Sequence, residues 1–403
     1  MRVGRLAGAL ALVAATLLGS AAPGHAQELT IYSSLPLVGE IGTQARDVVL
    51  GERLALEQAG GRAGPFSIRY VSLNDGSRRL GAWQPELVAR NARGATLDDT
   101  TIAYLGEFNS GASTFSIPML NEAGILQVSP SNTYVGLTRS RGAFRGEPDK
   151  YYPAGTRTYG RVVPADHLQA AALARYVQVE GVKRVFLVDD NEVYGRGIAD
   201  LVRPRLRARG IRLVGRRHLA PRGRNLTRIA GAVGRSSADA MLFGGITQNR
   251  AARLWQAVHR RDHALKLFGP DGVADSGFTR RLSAGAARRT YITDPTLDPA
   301  AYPASAQAFY SAFRARFGRA PEPYAIYGYE TMSVVLDAIR RAGPHGNERD
   351  AVVGAYFRTR DRDSVLGRYS VDENGDTTLS TYGGLRVTRR GQLVYARTLD
   401  SSR

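Results

Sequence analysis

Strand-like and helix-like segments alternate along most of this chain, and the alternation strongly constrains the fold. The apolar run Leu29–Leu35 is followed by helical spacing over Ile41–Ala59, and similar pairs continue to Ser129. A stretch rich in Gly, Pro, charge and tyrosine, Arg139–Gly160, interrupts the pattern, which restarts at His167. Such alternation predicts parallel sheets covered by helices on both faces. We therefore predict two α/β lobes, and interpret the interruption as a functional loop or a connection between them.

Length and charge limit the classes of protein to consider. A chain of 403 residues is longer than one hydrophobic core usually supports, which agrees with two domains. The formal net charge is +19, and all but three of the 55 basic residues are arginine. These residues are scattered, without an arginine-rich tail, so we interpret them as a solvent-facing surface. We therefore expect no nucleic-acid partner, and polyanion binding stays a remote alternative.

The N-terminal segment predicts export. Arg2 and Arg5 begin a segment whose apolar run, Leu6–Leu18, is too short to span a bilayer. Small residues follow, which is typical of a secretory signal peptide, so we assign residues 1–26 to a signal cleaved before Gln27. The sequence contains no cysteine, so we expect neither a lipid-anchored cysteine nor a disulfide. The protein is predicted to be periplasmic or secreted.

Two neighbouring loops carry the clearest signal for a binding site. The strand-like run Ile102–Phe108 ends in the polar loop Asn109–Ser113, and the short run Leu126–Val128 ends in Ser129–Thr133. In an open parallel sheet, ligands bind outside the carboxyl ends of the strands. Amides at a helix N-terminus favour an anion there. The two loops therefore predict a site for a small molecule that carries a carboxylate.

Several short motifs occur in the order found in a known family. They are Leu35–Gly39 with Gly51–Ala55, Gly124–Pro130, Asp189–Gly197, Phe268–Gly272 and Tyr324–Tyr329. On these motifs the chain resembles the Leu/Ile/Val-binding family of exported solute-binding proteins, which has the type I periplasmic binding fold. The resemblance covers nearly the whole mature chain. It implies two Rossmann-like lobes with parallel sheets, joined by a multi-strand hinge, around a ligand cleft.

The resemblance also implies the extent of each lobe. We assign residues 28–162 and 294–366 to the N-terminal lobe. Residues 163–293 and 367–403 are assigned to the C-terminal lobe. Each lobe is therefore expected to be discontinuous in sequence, and the cleft between them is expected to close by hinge motion.

Four residues match positions that hold the charged groups of an amino acid in the family. The resemblance implies that Ser110 holds the α-carboxylate and that Ser131 offers a backbone carbonyl to the α-ammonium. Thr133 matches a residue that touches both groups. Asp271 lies where the family often has an acid from the second lobe that pairs with the ammonium. The alternative for Ser110 and Thr133 is that they cap helices, although two such loops at one sheet edge favour a ligand, and the alternative for Asp271 is that it forms a turn.

Three more residues are expected to line the closed cleft. Tyr194 and Ile246 match positions at which family members close over the ligand. Gln44 matches a position that is often aromatic, which argues against a purely aliphatic side-chain pocket. The expected function is that of a substrate-binding protein of an ABC importer. It would bind a branched-chain or related amino acid, and deliver it to the permease subunits in the membrane.

Alternatives from other classes stay open at this point. A ligand sensor on the same fold, for an amide, a urea or an aromatic or small carboxylate, is the main one. A hydrolase lacks a nucleophile–base pattern, and we expect the protein not to be an enzyme. We also expect no cofactor and a monomer.

Three further patterns are weaker than they first look. The pair Gly195 and Gly197 is an incomplete dinucleotide-binding motif, because its third glycine is missing. The acidic run Asp372–Asp376 lacks the distal Glu of a calcium loop, and we predict that it is the turn of a terminal hairpin. His259 and His263 have helical spacing but no Glu between them, so no metal site is predicted.

Overall fold

The computed structural model describes residues 27–400, and the predicted signal peptide lies outside the described residues. The first part of the chain forms β1 (Glu28–Leu35), α1 (Gly42–Gln58), β2 (Arg62–Ala63), β3 (Phe66–Asn74), β4 (Gly76–Ser77), β5 (Ala82–Trp83), α2 (Pro85–Thr96), β6 (Thr101–Gly106), α3 (Ser110–Glu122), β7 (Leu126–Ser129) and β8 (Tyr159–Arg161). The middle part forms α4 (Asp166–Val179), β9 (Arg184–Asp189), α5 (Val193–Ala208), β10 (Arg212–His218), α6 (Leu226–Gly234), β11 (Ala240–Gly244), α7 (Ala251–His259), β12 (Lys266–Gly269), α8 (Ser276–Thr279), α9 (Ala284–Arg288) and β13 (Thr290–Asp294). The last part forms α10 (Ala304–Phe317), α11 (Ala325–Ala342), α12 (Arg349–Phe357), β14 (Arg362–Ser364), β15 (Gly367–Tyr369), β16 (Thr381–Val387) and β17 (Leu393–Asp400).

Two separate sheets form the centres of the two lobes. The first sheet has the strand order β2-β3-β1-β6-β7-β8, and all its pairs are parallel except the edge pair β2–β3. The second has the order β10-β9-β11-β12-β13-β16-β17, with parallel pairs as far as β13 and antiparallel pairs beyond it. The predicted α/β fold class with two lobes is confirmed.

Helix α11 packs against α1 in the first lobe, after the chain has completed most of the second sheet. A Cβ atom added to Gly51 would lie 2.2 Å from the carbonyl oxygen of Ala325. One added to Gly328 would lie 2.3 Å from the carbonyl oxygen of Val48. The two helices approach so closely that a side chain does not fit at either contact. The late helices are thereby fixed to the start of the chain.

The hydrophobic cores follow the two sheets. The core of the first sheet takes residues from Leu29 to Val163 and again from Tyr302 to Val371. It includes Tyr369, which the sequence-based boundary placed in the second lobe. Two other clusters pack on the second sheet. The exact lobe boundaries stay a prediction.

The predicted terminal hairpin forms only beside its turn, where Val371 and Thr377 make an antiparallel bridge. Residues 372–376 do form a turn, in which the Asp372 amide donates to the Asp376 carbonyl at 2.9 Å. However, β16 pairs with β13 and β17, and buries Leu385 and Val387 against the second sheet. Asp376 forms an ion pair with the buried Arg161 of β8 in the first lobe, with 2.7 Å between the carboxylate Oδ1 and the guanidinium Nε. Burial of β16 and this ion pair therefore override the local hairpin pattern.

The stretch Arg139–Gly160, which interrupts the sequence pattern, packs around the buried carboxylate of Glu147. Glu147 accepts hydrogen bonds from the hydroxyls of Tyr134 and Tyr151. Within the same stretch, Phe144 lies under the guanidinium of Arg196 on α5, 5.0 Å from the ring centre. The segment thus connects the first lobe to a helix of the second. Among residues 27–400, no helix has the length and apolar character needed to cross a membrane.

Candidate functional site

The two polar loops predicted from the sequence lie side by side. Strands β6 and β7 are parallel neighbours, so their carboxyl ends meet at one edge of the first sheet. The Ser131 hydroxyl donates to the Phe108 carbonyl at 2.7 Å. The Asn132 side-chain amide donates to the carbonyls of Glu107 and Phe108, at 3.0 and 2.9 Å. These bonds fix the loops relative to each other, and together the loops form what we call the first wall.

The first wall presents hydrogen-bond donors. Ser110 is the first residue of α3, and Gly111 is the second. Amides in the first turn of a helix have no acceptor within the helix, and the helix dipole gives this end partial positive charge. The Ser110 hydroxyl accepts from the Tyr134 amide at 3.3 Å, which leaves its own proton available. Thr133 adds a buried hydroxyl from the next loop.

The second wall comes from the second lobe and centres on Asp271, which follows β12. The Tyr194 hydroxyl donates to one oxygen of this carboxylate at 2.6 Å. The Tyr324 hydroxyl, from the first lobe, donates to the other oxygen at 2.6 Å. A carboxylate has about four acceptor positions, so these two bonds leave others open. Asp271 can therefore accept from a ligand while it is held by both tyrosines.

Buried acids around Asp271 shape the charge of this wall. Burial raises the pKa of Asp271, whereas hydrogen bonds from Tyr194 and Tyr324 act in the opposite direction. Burial and the charge of Asp271 raise the pKa of Asp294 to about 8 and hold the pKa of Asp166 well above its ordinary value. Negative charge on Asp271 thus favours the protonated forms of Asp166 and Asp294.

The two walls face each other across a narrow cleft. Its lining consists of Trp83, Phe108, Asn109, Ser110, Gly111, Ser131, Thr133, Glu192, Tyr194, Ile246 and Asp271. None of these described residues is Lys, Arg or His, so the carboxylates in the cleft have no basic side chain beside them in the lining. The cleft therefore favours a ligand that brings its own positive group.

Most of the predicted site residues meet in this cleft. Ser110, Ser131 and Thr133 lie on the first wall, and the predicted Tyr194, Ile246 and Asp271 lie on the second. Gln44 is not among the residues that line the cleft. Its side chain is buried in α1 and is only 2% exposed.

Five lining residues were not among the individually predicted site residues: Trp83, Phe108, Asn109, Gly111 and Glu192. Asn109 and Gly111 stand directly beside Ser110 within the predicted loop, and Phe108 stands two residues before it, so loop position alone could have indicated all three. Glu192 precedes the start of α5 by one residue and could have been found in the same way. Trp83 lies on the two-residue strand β5, whose sequence has no periodic signal.

No cluster of three or more His, Cys, Asp or Glu side chains that could hold a metal ion occurs within the described residues. The cleft also contains no pair of a nucleophile and a basic side chain among the residues that line it. Its donors and acceptors are arranged to hold a molecule by hydrogen bonds. The arrangement is that of a binding site.

Comparison with known proteins agrees with this architecture. Residues 29–392 match the family model described as periplasmic binding protein. The chain belongs to the periplasmic binding protein family. An amino acid binding protein of Pseudomonas aeruginosa is 25% identical over 296 residues, which cover 72% of this chain and 71% of the relative. The Leu/Ile/Val-binding protein BraC3 of Rhizobium johnstonii is 26% identical over 342 residues, with 83% and 85% covered.

Solved structures of other periplasmic binding proteins share the fold. The leucine binding protein LivK of Thermotoga maritima has a TM-score of 0.79 at 21% identity, covering 92% of this chain and 99% of its own. LivJ of Streptococcus pneumoniae, in complex with isoleucine, has a TM-score of 0.78 at 20% identity, covering 93% and 100%. A solute binding protein of R. palustris, in complex with 4-hydroxybenzoate, has a TM-score of 0.77 at 13% identity, covering 93% and 97%. The resemblance to Leu/Ile/Val-binding proteins of type I fold is therefore confirmed.

Proposed function

We propose that this periplasmic binding protein is the exported substrate-binding component of an ABC importer, and that it captures a small amino acid, branched-chain or related, between its lobes. The observation that carries the proposal is the pairing of opposite chemistry in one cleft. The first wall offers hydroxyl and amide donors, and the second offers the carboxylate of Asp271. A zwitterion is the small molecule that uses both.

Each charged group of the ligand would have several partners. The α-carboxylate would accept from the Ser110 and Thr133 hydroxyls and from amides at the start of α3. The α-ammonium would donate to the Ser131 carbonyl and to Asp271. Hydrogen bonds to charged groups contribute about 1.5–3 kcal/mol each. After desolvation and ordering of the ligand, a few such bonds are enough for dissociation constants at or below roughly micromolar.

Closure of the lobes follows from where these partners lie. A ligand held by the first wall gains Asp271, Tyr194 and Ile246 only when the lobes are closed. A ligand shifts a conformational equilibrium by its difference in affinity for the two states. The closed, loaded form would then be recognised by the permease subunits. The names of the amino-acid-binding relatives support this assignment, and the predicted signal peptide supports a periplasmic location.

An aromatic acid is the second candidate ligand, and a specific observation favours it. Trp83, Phe108 and Tyr194 all line the cleft, and Phe108 packs against Tyr324 with ring centres 5.8 Å apart. The relative from R. palustris was solved with 4-hydroxybenzoate. A benzoate has a carboxylate for the first wall but no ammonium for Asp271. The two candidates therefore differ in their use of Asp271.

A thermal-shift screen followed by calorimetry tests the proposal. The panel contains L-amino acids, benzoate and 4-hydroxybenzoate, because a ligand that binds the native state raises the unfolding temperature. We expect at least one α-amino acid to bind more tightly than either benzoate. Binding of the benzoates with no response to any amino acid would overturn the amino-acid assignment.

A further inference from the structure

Two polar side chains in the cleft have no role in holding the charged ends of a zwitterion. The first is Asn109, which precedes α3 at the position of a helix cap. Its side chain makes no capping hydrogen bond, and its residue is only 8% exposed. The side-chain oxygen is shielded from solvent and has no hydrogen-bond partner among the described residues. A buried amide left in this way is costly, which indicates that a ligand atom completes its bonding.

The second side chain is Glu192, on the opposite wall. It stands at the cap position of α5 and makes no capping hydrogen bond either. One of its carboxylate oxygens would lie 3.4 Å from a Cβ atom added to Gly111, so the side chain reaches across to the start of α3. Its one side-chain hydrogen bond, from Asn249, is long at 3.5 Å. Burial raises the pKa of Glu192, as expected for a carboxylate without a basic partner.

The neighbouring Asp190 shows what a structural carboxylate looks like in this region. It accepts from the Ile246 amide and the Asn249 side chain, both at 2.9 Å, and from the Glu192 amide at 3.1 Å. Asp190 thus has a complete set of local donors and does not line the cleft. Glu192 lines the cleft and lacks such a set. Asp190 therefore stabilises the loop, whereas the Glu192 carboxylate is available to a ligand.

We propose that Asn109 and Glu192 recognise the side chain of the ligand, and that the cleft selects an amino acid whose side chain ends in a nitrogen donor, a carboxamide or an amine. This inference rests on the proposed function, because the α-carboxylate and α-ammonium must occupy the two walls first. Trp83, Phe108 and Ile246 then cover the apolar stem. A purely aliphatic side chain would leave both polar groups without a partner.

Calorimetry with ligand pairs of matched shape tests the proposal. L-asparagine is compared with L-leucine, which has the same branching, and L-ornithine is compared with L-norleucine, which has the same chain length. We expect at least one nitrogen-bearing member to bind ten times more tightly than its aliphatic partner. If both aliphatic members bind as tightly or more tightly, the side-chain inference is overturned while the proposed function stands. If no L-amino acid of the thermal-shift panel binds and benzoate does, the proposed function itself fails.

Variants then identify the residues responsible. Glu192→Gln is expected to reduce the affinity for ornithine at least tenfold, while the affinity for norleucine changes less than threefold. Asn109→Leu is expected to reduce the affinity for asparagine at least tenfold, while the affinity for leucine changes less than threefold. Glu40→Gln is the matched control, because Glu40 pairs with Arg281 of the second lobe yet does not line the cleft. It should leave the ligand preference unchanged. An equal loss for donor and aliphatic ligands in Glu192→Gln would show a role in closure alone and would overturn the inference.

Discussion

The two walls of the cleft differ in how they present charge. The first wall is neutral and offers donors from Ser110, Thr133 and the start of α3, on loops fixed by hydrogen bonds from side chains to backbone carbonyls. The second wall carries the buried carboxylate of Asp271, held by two tyrosine hydroxyls. One wall is therefore suited to an anion and the other to a cation. The comparison shows how two lobes can each recognise one end of the same small molecule.

The difference also explains why recognition and closure are coupled in this account. A carboxylate alone is satisfied by the first wall, whatever the position of the second lobe. An ammonium on the same molecule reaches Asp271 only after closure. The second wall should therefore discriminate between ligands, whereas the first should supply affinity common to all of them.

The largest expected effect comes from neutralising the second wall. Asp271→Asn keeps the shape and an acceptor for one tyrosine, but it removes the charge that pairs with an ammonium. We expect L-leucine to bind roughly 10- to 100-fold more weakly, because bonds to charged groups contribute about 1.5–3 kcal/mol. Binding of 4-methylpentanoate, which lacks the amino group, should change less than threefold. Calorimetry on both ligands checks this, and equal losses would contradict the assignment of Asp271.

A change in the first wall should weaken the binding of both ligands of this pair equally. Thr133→Val removes a buried hydroxyl with little change of shape. We expect a loss of roughly tenfold for both L-leucine and 4-methylpentanoate, since both carry the carboxylate. The control ligand is 3-methylbutylamine, which has only the amine and should be little affected. Loss for the amine alone, measured by the same calorimetry, would reverse the roles of the walls.

A smaller effect is expected from the tyrosines, which form a matched pair. Tyr194 and Tyr324 both donate to Asp271 at 2.6 Å, but only the bond from Tyr324 crosses between the lobes. Tyr194→Phe and Tyr324→Phe should each weaken L-leucine binding about fivefold. Only Tyr324→Phe should raise the radius of gyration of the unliganded protein in X-ray scattering. The same radius in both variants would show that this bond does not hold the lobes together.

A separate effect, on stability and not on binding, is a dependence on pH near the second wall. Burial, with the charge of Asp271, raises the pKa of Asp294 from 3.8 to about 8, so the folded state binds this proton more tightly than the unfolded chain does. The resulting stabilisation is complete below about pH 4 and is lost as the pH rises towards 8. Asp294→Asn should therefore flatten the fall in unfolding free energy between about pH 5 and pH 8, measured by urea denaturation.

A control with the opposite sign accompanies this measurement. Burial acts to raise the pKa of Asp239, but hydrogen bonds from the Lys183 and Arg184 amides lower it overall. Its contribution is lost as the pH falls, not as it rises. Asp239→Asn should leave the slope between about pH 5 and pH 8 unchanged. A flatter slope in this variant as well would show that the effect does not come from Asp294.

The comparison of the walls also shows what the sequence could predict. The first wall is made by consecutive residues after strands β6 and β7, so strand periodicity and loop composition were enough to find the two loops that carry Ser110, Ser131 and Thr133. The roles of these three residues came from the family resemblance, and so did Asp271, because an acid in a turn has several ordinary explanations. Physical patterns thus located the loops, and the resemblance selected the residues within them.

Other features depend on packing that no local pattern shows. Gln44 was placed at the site by its position in the family, but it is a buried residue of α1 that does not line the cleft. Helical spacing shows which residues are buried but not which of them meet the other lobe. Trp83 lines the cleft from the two-residue strand β5, which is too short to show a periodic pattern. Strand β16 pairs with β13 of the second sheet, which lies far from it in the sequence. These outcomes depend on contacts between residues far apart in the chain.

A crystal structure with a bound amino acid tests the central claim most directly. The account predicts a closed cleft with the α-carboxylate within hydrogen-bonding distance of Ser110 and Thr133. The α-ammonium should lie within the same distance of Asp271 and the Ser131 carbonyl. A ligand whose ammonium faces the start of α3, or one bound outside the space between the two walls, would contradict it.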